Sequence, residues 1–372
     1  MGFTLPVPAP FHWKKCEGSL KTPDIQQLND VCVIPYVFNR REIFVGGIES
    51  DQTCRSGRLI HGYTARDVPV KRPENFDYLR GRYLYGGPLW NHFGHIFVDC
   101  LHRLWAYTEK YDAIVFNGVI GLRDIRSPEK LLTWKYPAYV DDILSLMGIK
   151  AKIHITRRPT VYENLAVPEP GSVLECGVRP FYWKFLKNYQ KNIQAAVQDL
   201  PAPERVYYPR THLIPTFGGI IGSSYFESVL QRSGFTVCHP ERSDIYHQFA
   251  NILNSQILVF DEGSSIHLTS ILHTIPTKMY MFPRRKGLLA YTSALEPKGS
   301  LTVLSHEENL IMFKDRRGGY QPACSSTYND VEKVMDAMRD HGLTTEKFNK
   351  NEYMRFKMND FKLADEGRHG VS

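Results

Sequence analysis

"ILVFDEG", residues 257–263, is the stretch that decides the fold of this chain. Four apolar residues run into an acidic pair and a glycine, which is the pattern of a buried strand that stops at a tight turn. "SSIHLTSILH" (264–273) begins with two serines and predicts a short helix. "KMYMFP" (278–283) predicts another apolar strand. A strand, a helix and a second strand at this spacing are typical of a parallel α/β sheet.

The same alternation extends upstream of residue 257. Strands are predicted at 205–210 ("RVYYPR") and 235–240 ("FTVCHP"). A helix is predicted at 223–234, where Gly234 is a C-cap candidate. Another is predicted at 243–256, with Ser243 as its N-cap. Together these elements predict a doubly wound, Rossmann-like parallel sheet.

The first half of the chain is more mixed. Residues 113–118 predict a strand, and 138–148 and 181–200 predict helices. Residues 151–168 read as strands around a proline. The Pro-rich polar stretch 200–205 predicts a linker between two halves.

Three regions follow from this pattern. Residues 1–200 are predicted to form an N-terminal α/β domain with an irregular, β-rich start. Residues 201–345 are predicted to form the Rossmann-like domain. Residues 346–372 are charged and polar, and they predict a C-terminal tail whose last residues are disordered.

Composition narrows the class of protein. The chain has 372 residues, 42% hydrophobic and 23% charged, with a net charge of +7. No apolar run is long enough to span a bilayer, and the N-terminus does not read as a signal peptide. The net positive charge is too small and too evenly spread along the chain to indicate a nucleic-acid-binding protein. These totals predict a cytoplasmic protein that touches the anionic inner membrane face through electrostatics at most. The seven cysteines are widely spaced without a C-x-x-C motif, which predicts free thiols.

"WNHFGHIFVDCLHRLW", residues 90–105, predicts a helix that carries unusually many titratable side chains. Asn91 is the candidate N-cap. At a spacing of 3.6 residues one stripe of this helix is apolar. A second stripe beside it holds His92, His95, Asp99 and His102.

Asp99 follows His95 by one helical turn, which brings its carboxylate within reach of the imidazole. A carboxylate in that position fixes the tautomer and raises the basicity of the other ring nitrogen, as a general base requires. One alternative is a hydrogen-bonded network at a domain seam. Another is a metal site made of His92, His95 and Asp99, although H-E-x-x-H is absent.

Residues 259–270 predict a phosphate-binding turn. At the carboxyl end of a parallel strand, a helix start offers free backbone N–H groups and the positive end of its dipole. Gly263 would allow a ligand to approach the backbone, and Ser264 and Ser265 would add hydroxyl donors. Glu262 would accept hydrogen bonds from a ribose or sugar hydroxyl. The alternative is an ordinary strand-turn-helix with a serine cap.

Arg210 ends the strand predicted at 205–210, so it is expected at the same edge of the sheet. A guanidinium there can bind a diphosphate bidentately. Taken alone, the residue would read as a solvated surface arginine.

These stretches resemble the family 61 glycosyltransferases, in their bacterial polysaccharide-biosynthesis branch. "GGPLWNHFGHIFVDCLHRLWAY" resembles the N-terminal motif of that family. "YYPR" followed by "GFTVCHPERSDIYHQFANILNSQILVFDEGSSIH" resembles its C-terminal half. The resemblance covers roughly residues 80–275. The family commonly carries an Asn-Glu pair after the arginine, and this chain has Gly222-Ser223 instead.

The resemblance implies a GT-B architecture, in which two Rossmann-like domains face each other across a cleft. It also implies an inverting sugar transfer from a nucleotide donor without an obligatory metal or other cofactor. Gln248 and His267 would contact the donor or its diphosphate. Asn91, His92 and His102 would lie on the acceptor side.

The sequence therefore predicts an inverting glycosyltransferase of cell-surface polysaccharide biosynthesis. His95 and Asp99 would be catalytic, and Arg210 with Ser264 and Ser265 would stabilise the leaving diphosphate. The partners would be a nucleotide-sugar donor and a glycan or lipid-linked glycan acceptor. The alternatives are a non-catalytic sugar- or nucleotide-binding protein of the same fold and a metal-dependent hydrolase.

Overall fold

A computed structural model describes residues 23–38, 44–49, 59–60, 63–64, 71–119, 128–173, 177–287, 295, 297–314 and 324–369. The chain divides into two compact units. Unit 1 comprises Met1–Ile193 and Ser270–His273, and unit 2 comprises Gln194–Thr269 and Thr274–Ser372. The long helix Trp183–Val197, predicted at 181–200, crosses the division.

Unit 1 is built on a mixed sheet. The described strands of unit 1 are β1 (Ile25–Phe38), β2 (Phe44–Ile48), β3 (Leu59–Ile60), β4 (Tyr63–Thr64), β5 (Asp77–Trp90), β6 (Ala113–Val119), β7 (Ile153–Thr156), β8 (Thr160–Pro168), β9 (Ser172–Val173) and β10 (Gly177–Val178). The main sheet has the order β2-β1-β8-β5-β6-β7. β5 runs parallel to β6 and β8, whereas β1 is antiparallel to β2 and β8. The strand predicted at 113–118 is confirmed as β6.

This sheet is curled. β1 contacts β6 even though β8 and β5 lie between them in the strand order. Asn117 Nδ2 on β6 donates to Ile34 O on β1 at 2.8 Å. The register of β5 shifts between Leu79 and Arg82, where Gly81 has a φ of 120°. A bulge of this kind bends a strand and increases its twist, which favours the curl.

The described helices of unit 1 are short apart from the one that crosses into unit 2. They are Phe93–His95, Ile96–Cys100 (π), Leu104–Ala106 (3-10), Pro128–Thr133, Tyr139–Leu146 and Pro180–Tyr182 (3-10). The helix predicted at 138–148 is confirmed as Tyr139–Leu146, and Gly148 follows it with a φ of 78°.

The prediction of a single regular helix at 90–105 is wrong. Trp90 is the last residue of β5, because it pairs with Val119 in the sheet. A short α-turn, a π-helix and a 3-10 turn follow instead. The N-cap is His92, whose Nδ1 accepts from His95 N at 3.5 Å, and not Asn91, which is exposed.

Unit 2 contains the predicted parallel sheet. Its described strands are β11 (Arg205–Tyr208), β12 (Thr236–Val237), β13 (Ile257–Asp261), β14 (Lys278–Phe282), β15 (Leu301–Val303), β16 (Leu310–Met312) and β17 (Ser326–Tyr328). The order β12-β11-β13-β14-β15 is parallel throughout. The chain leaves β11 toward β12 and then returns to β13 on the other side. The sheet therefore has a topological switch point between β11 and β13.

Helical segments of unit 2 lie at the three predicted positions, 223–234, 243–256 and 264–273, with two corrections, whereas the helix Val331–Asp340 was not predicted. The described helices are Thr211–Leu213 (3-10), Ile214–Phe217, Ser223–Arg232, Pro240–Arg242 (3-10), Ile245–Asn254, Ser264–Ile271 (3-10), Glu307–Asn309 (3-10), Val331–Asp340 and Lys350–His369. Asp244 caps the helix Ile245–Asn254, since its carboxylate accepts from His247 N at 2.8 Å; Ser243 does not cap it. The segment after β13 is a 3-10 helix and not an α-helix.

The predicted tail at 346–372 is instead largely a helix, Lys350–His369, which packs on unit 2. Its buried face includes Tyr353, Asp360 and Ala364. Asp360 accepts from Gly222 N at 2.7 Å and from Ser224 Oγ at 2.5 Å. The charged and polar residues after 346 therefore form a helix with one buried face. Its buried Asp360 carboxylate caps the helix Ser223–Arg232.

The four cysteines among the described residues (Cys32, Cys100, Cys238 and Cys324) are free thiols, as predicted for them. Within the described ranges, no helix has both the length and the apolar composition needed to cross a bilayer. The chain is a mixed α/β protein with a parallel sheet in one unit and a curled sheet in the other.

Candidate functional site

The switch point of the unit 2 sheet brings Arg210 and Gly263 into contact. Each lies two residues beyond the end of its strand, Arg210 after β11 and Gly263 after β13. A Cβ on Gly263 would lie 2.7 Å from Arg210 Nη1 and 3.0 Å from its Cδ. Glycine is therefore required here for the Arg210 side chain to lie against the turn. The room that the sequence suggested for a ligand is taken by the guanidinium.

Asp261, which the sequence analysis did not assign a role, positions Arg210. It ends β13 with 1% exposure and accepts from Tyr207 OH at 2.7 Å and from Arg210 N at 2.8 Å. Burial raises the pKa of its carboxyl from 3.8 to about 6, partly opposed by these hydrogen bonds. An acidic residue directly after a buried apolar run was the signal that could have revealed it.

Asp261→Asn is expected to change how stability depends on pH. Because the folded-state pKa is raised, the wild-type chain should lose stability as the pH rises from about 4 to about 6. The loss should reach about 3 kcal/mol relative to the variant, which has no proton to release at this position. Urea unfolding of both proteins across this pH range measures it. A constant difference between the two free energies of unfolding would contradict the prediction.

Glu262 is buried and holds the turn after β14. Its Oε2 accepts from Arg284 N at 2.7 Å and Arg285 N at 2.8 Å, and its Oε1 accepts from Arg285 Nε at 2.6 Å. With 1% exposure, this carboxylate binds protein donors where the sequence analysis expected a sugar hydroxyl. The sequence "FPRRK" after β14 was the signal for these two arginines.

The other residues predicted to contact the donor lie in the segments that follow β12 and β13. Ser264 and Ser265 begin the 3-10 helix after β13 and are half-buried, as is His267 within it. Gln248 is 4% exposed, and its Nε2 donates to Pro240 O at 2.8 Å and to Ser243 O at 2.9 Å. Gln248 therefore fixes the turn after β12.

In unit 1, the predicted contact between His95 and Asp99 is confirmed. His95 Nδ1 lies 2.7 Å from Asp99 Oδ2. The Asp99 side chain is 2% exposed and that of His95 is 27% exposed. When Nδ1 carries the proton it donates to the carboxylate, which leaves Nε2 with a lone pair. The arrangement suits a proton acceptor that is reachable from solvent.

The surroundings of His95 restrict its ring. The Trp90 and His92 rings have their centroids 5.3 Å and 4.7 Å from that of His95. Cys100 Sγ donates to His95 O at 3.3 Å across the π-helix. Single π-turns of this kind occur frequently at functional sites.

The other two members of the predicted polar stripe differ in their surroundings, since His92 lies beside His95 and His102 is buried away from solvent. His102 is 1% exposed, and its Nδ1 lies 3.2 Å from Tyr182 OH. It is therefore a buried, hydrogen-bonded residue and does not line the edge of the helix with the others. Asn91 and His92 are exposed. His92, His95 and Asp99 do not form a converging metal-ligand group within the described part of the chain.

A different cluster, absent from the sequence analysis, lies at the ends of β11 and β12. His212, His239 and Glu241 each offer one ligand atom, and these atoms lie within 4.8 Å of one another. Burial lowers the pKa of His212, and the nearby Glu241 opposes this shift. "RTH" (210–212) and "CHPE" (238–241), at the ends of two predicted strands, were the signal for it.

Gly222 makes close contacts within unit 2. It is one of the two residues that stand where the resembling family carries an Asn-Glu pair. It has a φ of 101°. A Cβ there would lie 2.6 Å from the Tyr353 ring. An asparagine there would be strained at this positive φ and would require the Tyr353 ring to move.

A cavity of about 620 Å³ lies next to β15, which is the edge strand of the unit 2 sheet opposite to β12. The cluster of His212, His239 and Glu241 lies near the β12 edge instead. The lining of the cavity includes Ser305, Asn309, Asn329, Lys333 and His341. It contains none of the residues predicted to bind a donor or phosphate.

No protein-family model matches this chain, and no curated protein matches it.

Proposed function

We propose that the chain is an inverting glycosyltransferase that transfers a sugar from a nucleotide-sugar donor to a glycan or lipid-linked glycan acceptor. The observation that carries the proposal is the contact between Arg210 and Gly263 at the switch point of the parallel sheet. In open parallel sheets, ligands bind outside the carboxyl ends of the strands at this point. A guanidinium there suits an anionic ligand.

The leaving group of the proposed reaction is a nucleoside diphosphate, whose negative charge grows as the sugar departs. Arg210 is held for this role by its backbone bond to Asp261 and by Nη2, which donates to Gly218 O at 3.4 Å. The backbone N–H groups of Ser264 and Ser265 begin the 3-10 helix at the same strand end. Fixed donors of this kind stabilise developing charge without reorganisation.

Inversion also needs a base that takes the proton of the acceptor hydroxyl. His95 Nε2 is our candidate, because Asp99 holds Nδ1 and the imidazole is partly exposed. The proton moves from the acceptor oxygen to Nε2 as that oxygen attacks the anomeric carbon. The bond from that carbon to the diphosphate breaks on the opposite face.

The motif resemblance supports the finer parts of the proposal. It suggests a GT-B arrangement of the two units and a role in cell-surface polysaccharide biosynthesis on the cytoplasmic side. The net charge of +7 suggests a salt-sensitive contact with anionic membrane.

A second candidate function is binding of a nucleotide sugar without catalysis. The contacts of Gly222 with Asp360 and Tyr353 favour it, since they occupy a place where the family carries an Asn-Glu pair. Slow hydrolysis of the donor in the absence of acceptor separates the two functions. An enzyme should release free sugar, and a binding protein should not.

A thermal-shift screen of nucleotide sugars and free nucleoside diphosphates tests the proposal. A donor at 100 times its Kd should stabilise the folded chain by about 2.7 kcal/mol, which raises the melting temperature by several degrees. Arg210→Ala should lose most of this shift. Arg232→Ala, which removes a guanidinium paired with Glu346 on the surface, should keep it. No shift with any nucleotide sugar would count against the proposed function.

A further inference from the structure

We propose that His212, His239 and Glu241 form a binding site for a zinc-class transition-metal ion at the carboxyl ends of β11 and β12. The inference concerns unit 2 alone and does not depend on the proposed glycosyl transfer.

Strand pairing brings the three residues together. β11 and β12 are parallel neighbours, with Tyr207 opposite Val237. His212 lies in the 3-10 turn that follows β11, and His239 and Glu241 flank Pro240 after β12. Because both strands end at the same edge of the sheet, residues 27 positions apart in the chain (212 to 239) become neighbours in space.

The geometry fits a small coordination sphere. Tetrahedral zinc with ligands at about 2.0–2.2 Å places neighbouring ligand atoms roughly 3.3 Å apart. Here the three ligand atoms lie within 4.8 Å of one another, and the two imidazole rings are 4.4 Å apart at 81°. Nearly perpendicular rings can direct one nitrogen each toward a common point without stacking.

The imidazole nitrogens in this cluster have unused hydrogen-bonding capacity. His212 Nε2 contacts Glu241 Oε1, but not in hydrogen-bond geometry. Among the described residues, His212 Nδ1 and His239 Nδ1 are buried and make no hydrogen bond. Buried polar atoms are normally satisfied, so this cluster suggests a missing ligand.

A buried amide supports the turn that carries Glu241. Gln248 Nε2 donates to Pro240 O and Ser243 O, on either side of that residue. Outer contacts of this kind orient the ligands of metal sites. This gives Gln248 a role in shaping the cluster.

The donor set selects the class of ion. Two imidazoles and one carboxylate suit zinc and related transition metals, whereas Mg²⁺ and Ca²⁺ prefer oxygen ligands. Three protein ligands leave one tetrahedral position open for water or an anion, as in catalytic zinc sites.

The test uses the full chain, stripped with a chelator and titrated with Zn²⁺, and with Co²⁺ as a spectroscopic probe. We expect one ion per chain and the visible absorption of Co²⁺ bound to nitrogen and oxygen ligands. His239→Ala and Glu241→Gln should each weaken binding by more than about 100-fold, since losing even a supporting contact costs 10- to 100-fold. Mg²⁺ should not compete.

His247→Ala is the matched control. His247 is an exposed histidine on the next helix, and it pairs with Asp244 without a third ligand. Its loss should leave the affinity unchanged. Glu241 is 40% exposed, so Glu241→Gln should fold normally and keep the test valid even if a histidine variant unfolds. Absence of stoichiometric binding, or equal affinity in the wild type and Glu241→Gln, would overturn the proposal.

Discussion

His95→Ala should lower sugar transfer by about 10²- to 10⁴-fold, the usual contribution of a general base. Affinity for the nucleoside diphosphate should remain nearly unchanged, because the proposed base acts on the acceptor hydroxyl. The imidazole is the hydrogen-bond partner of the buried Asp99 carboxylate, so its removal should also lower the stability of the fold. Turnover per folded molecule, measured beside a melting curve and a nucleotide titration, checks all three expectations.

Asp99→Asn extends this test to the carboxylate that positions His95. Asparagine has the same shape, but its amide can donate to His95 Nδ1 and so favour the tautomer that carries its proton on Nε2. That tautomer cannot accept a proton at the proposed atom. We therefore expect a loss of turnover that approaches the loss in His95→Ala, with the pair of changes far from additive.

His247→Ala serves as the control for both variants. It also removes a histidine paired with an aspartate, but that pair is exposed and lies in unit 2. Its turnover should match that of the wild type. Normal turnover of folded His95→Ala protein would remove His95 from the reaction and leave Asp99 as the candidate base.

Arg210→Ala should weaken binding of the free nucleoside diphosphate as well as of the donor sugar. Losing a charged hydrogen-bond partner costs about 1.5–3 kcal/mol, which corresponds to roughly 10- to 150-fold in Kd. Isothermal calorimetry with the nucleoside diphosphate measures this without acceptor or turnover. Arg232→Ala should show the wild-type affinity, and an unchanged affinity in Arg210→Ala would remove Arg210 from the site.

Gly263→Ala tests the same contact from the other side. Its Cβ would lie 2.7 Å from Arg210 Nη1, so the guanidinium must move. In the wild-type background this should weaken binding by less than Arg210→Ala does, because the displaced guanidinium keeps its charge. In the Arg210→Ala background the same glycine change should have little further effect, because the side chain that it displaces is gone. Additive losses would show that Gly263 acts independently of Arg210.

The parallel sheet of unit 2 was predictable because its strands are short apolar runs that end at Gly, Pro or acidic residues. The runs 205–208 and 257–261, with the turns after them, suffice to place Arg210 and Gly263 at the strand ends. Their contact was not predictable, since it depends on the strand order that makes β11 and β13 neighbours.

The helix start in unit 1 shows where sequence periodicity fails. A spacing of 3.6 residues correctly brought Asp99 to His95, although Asp99 itself lies in the π-helix Ile96–Cys100. The same spacing misplaced His102, which is buried against Tyr182. The five-residue π-helix Ile96–Cys100 and the turn after it separate His95 from His102, and so short a π-helix leaves no period in the sequence.

The cluster of His212, His239 and Glu241 was missed for a related reason. Its members come from two loops, and no motif joins them. Only the pairing of β11 with β12 makes them neighbours. Histidines that follow consecutive predicted strands can reveal such clusters once the strands are taken as adjacent.

The bond from Gly222 N to Asp360 has a consequence for the order in which the protein is completed. The two residues are 138 positions apart, and a ribosome adds Asp360 long after Gly222. At roughly 5–20 residues per second, the start of the helix Ser223–Arg232 waits about 7–28 s for its cap. Until then Tyr225, against which Tyr353 packs with ring centroids 5.7 Å apart, lacks that cover. Unit 2 therefore passes through synthesis with an apolar surface that nascent-chain chaperones could recognise, and it closes only when its last helix emerges.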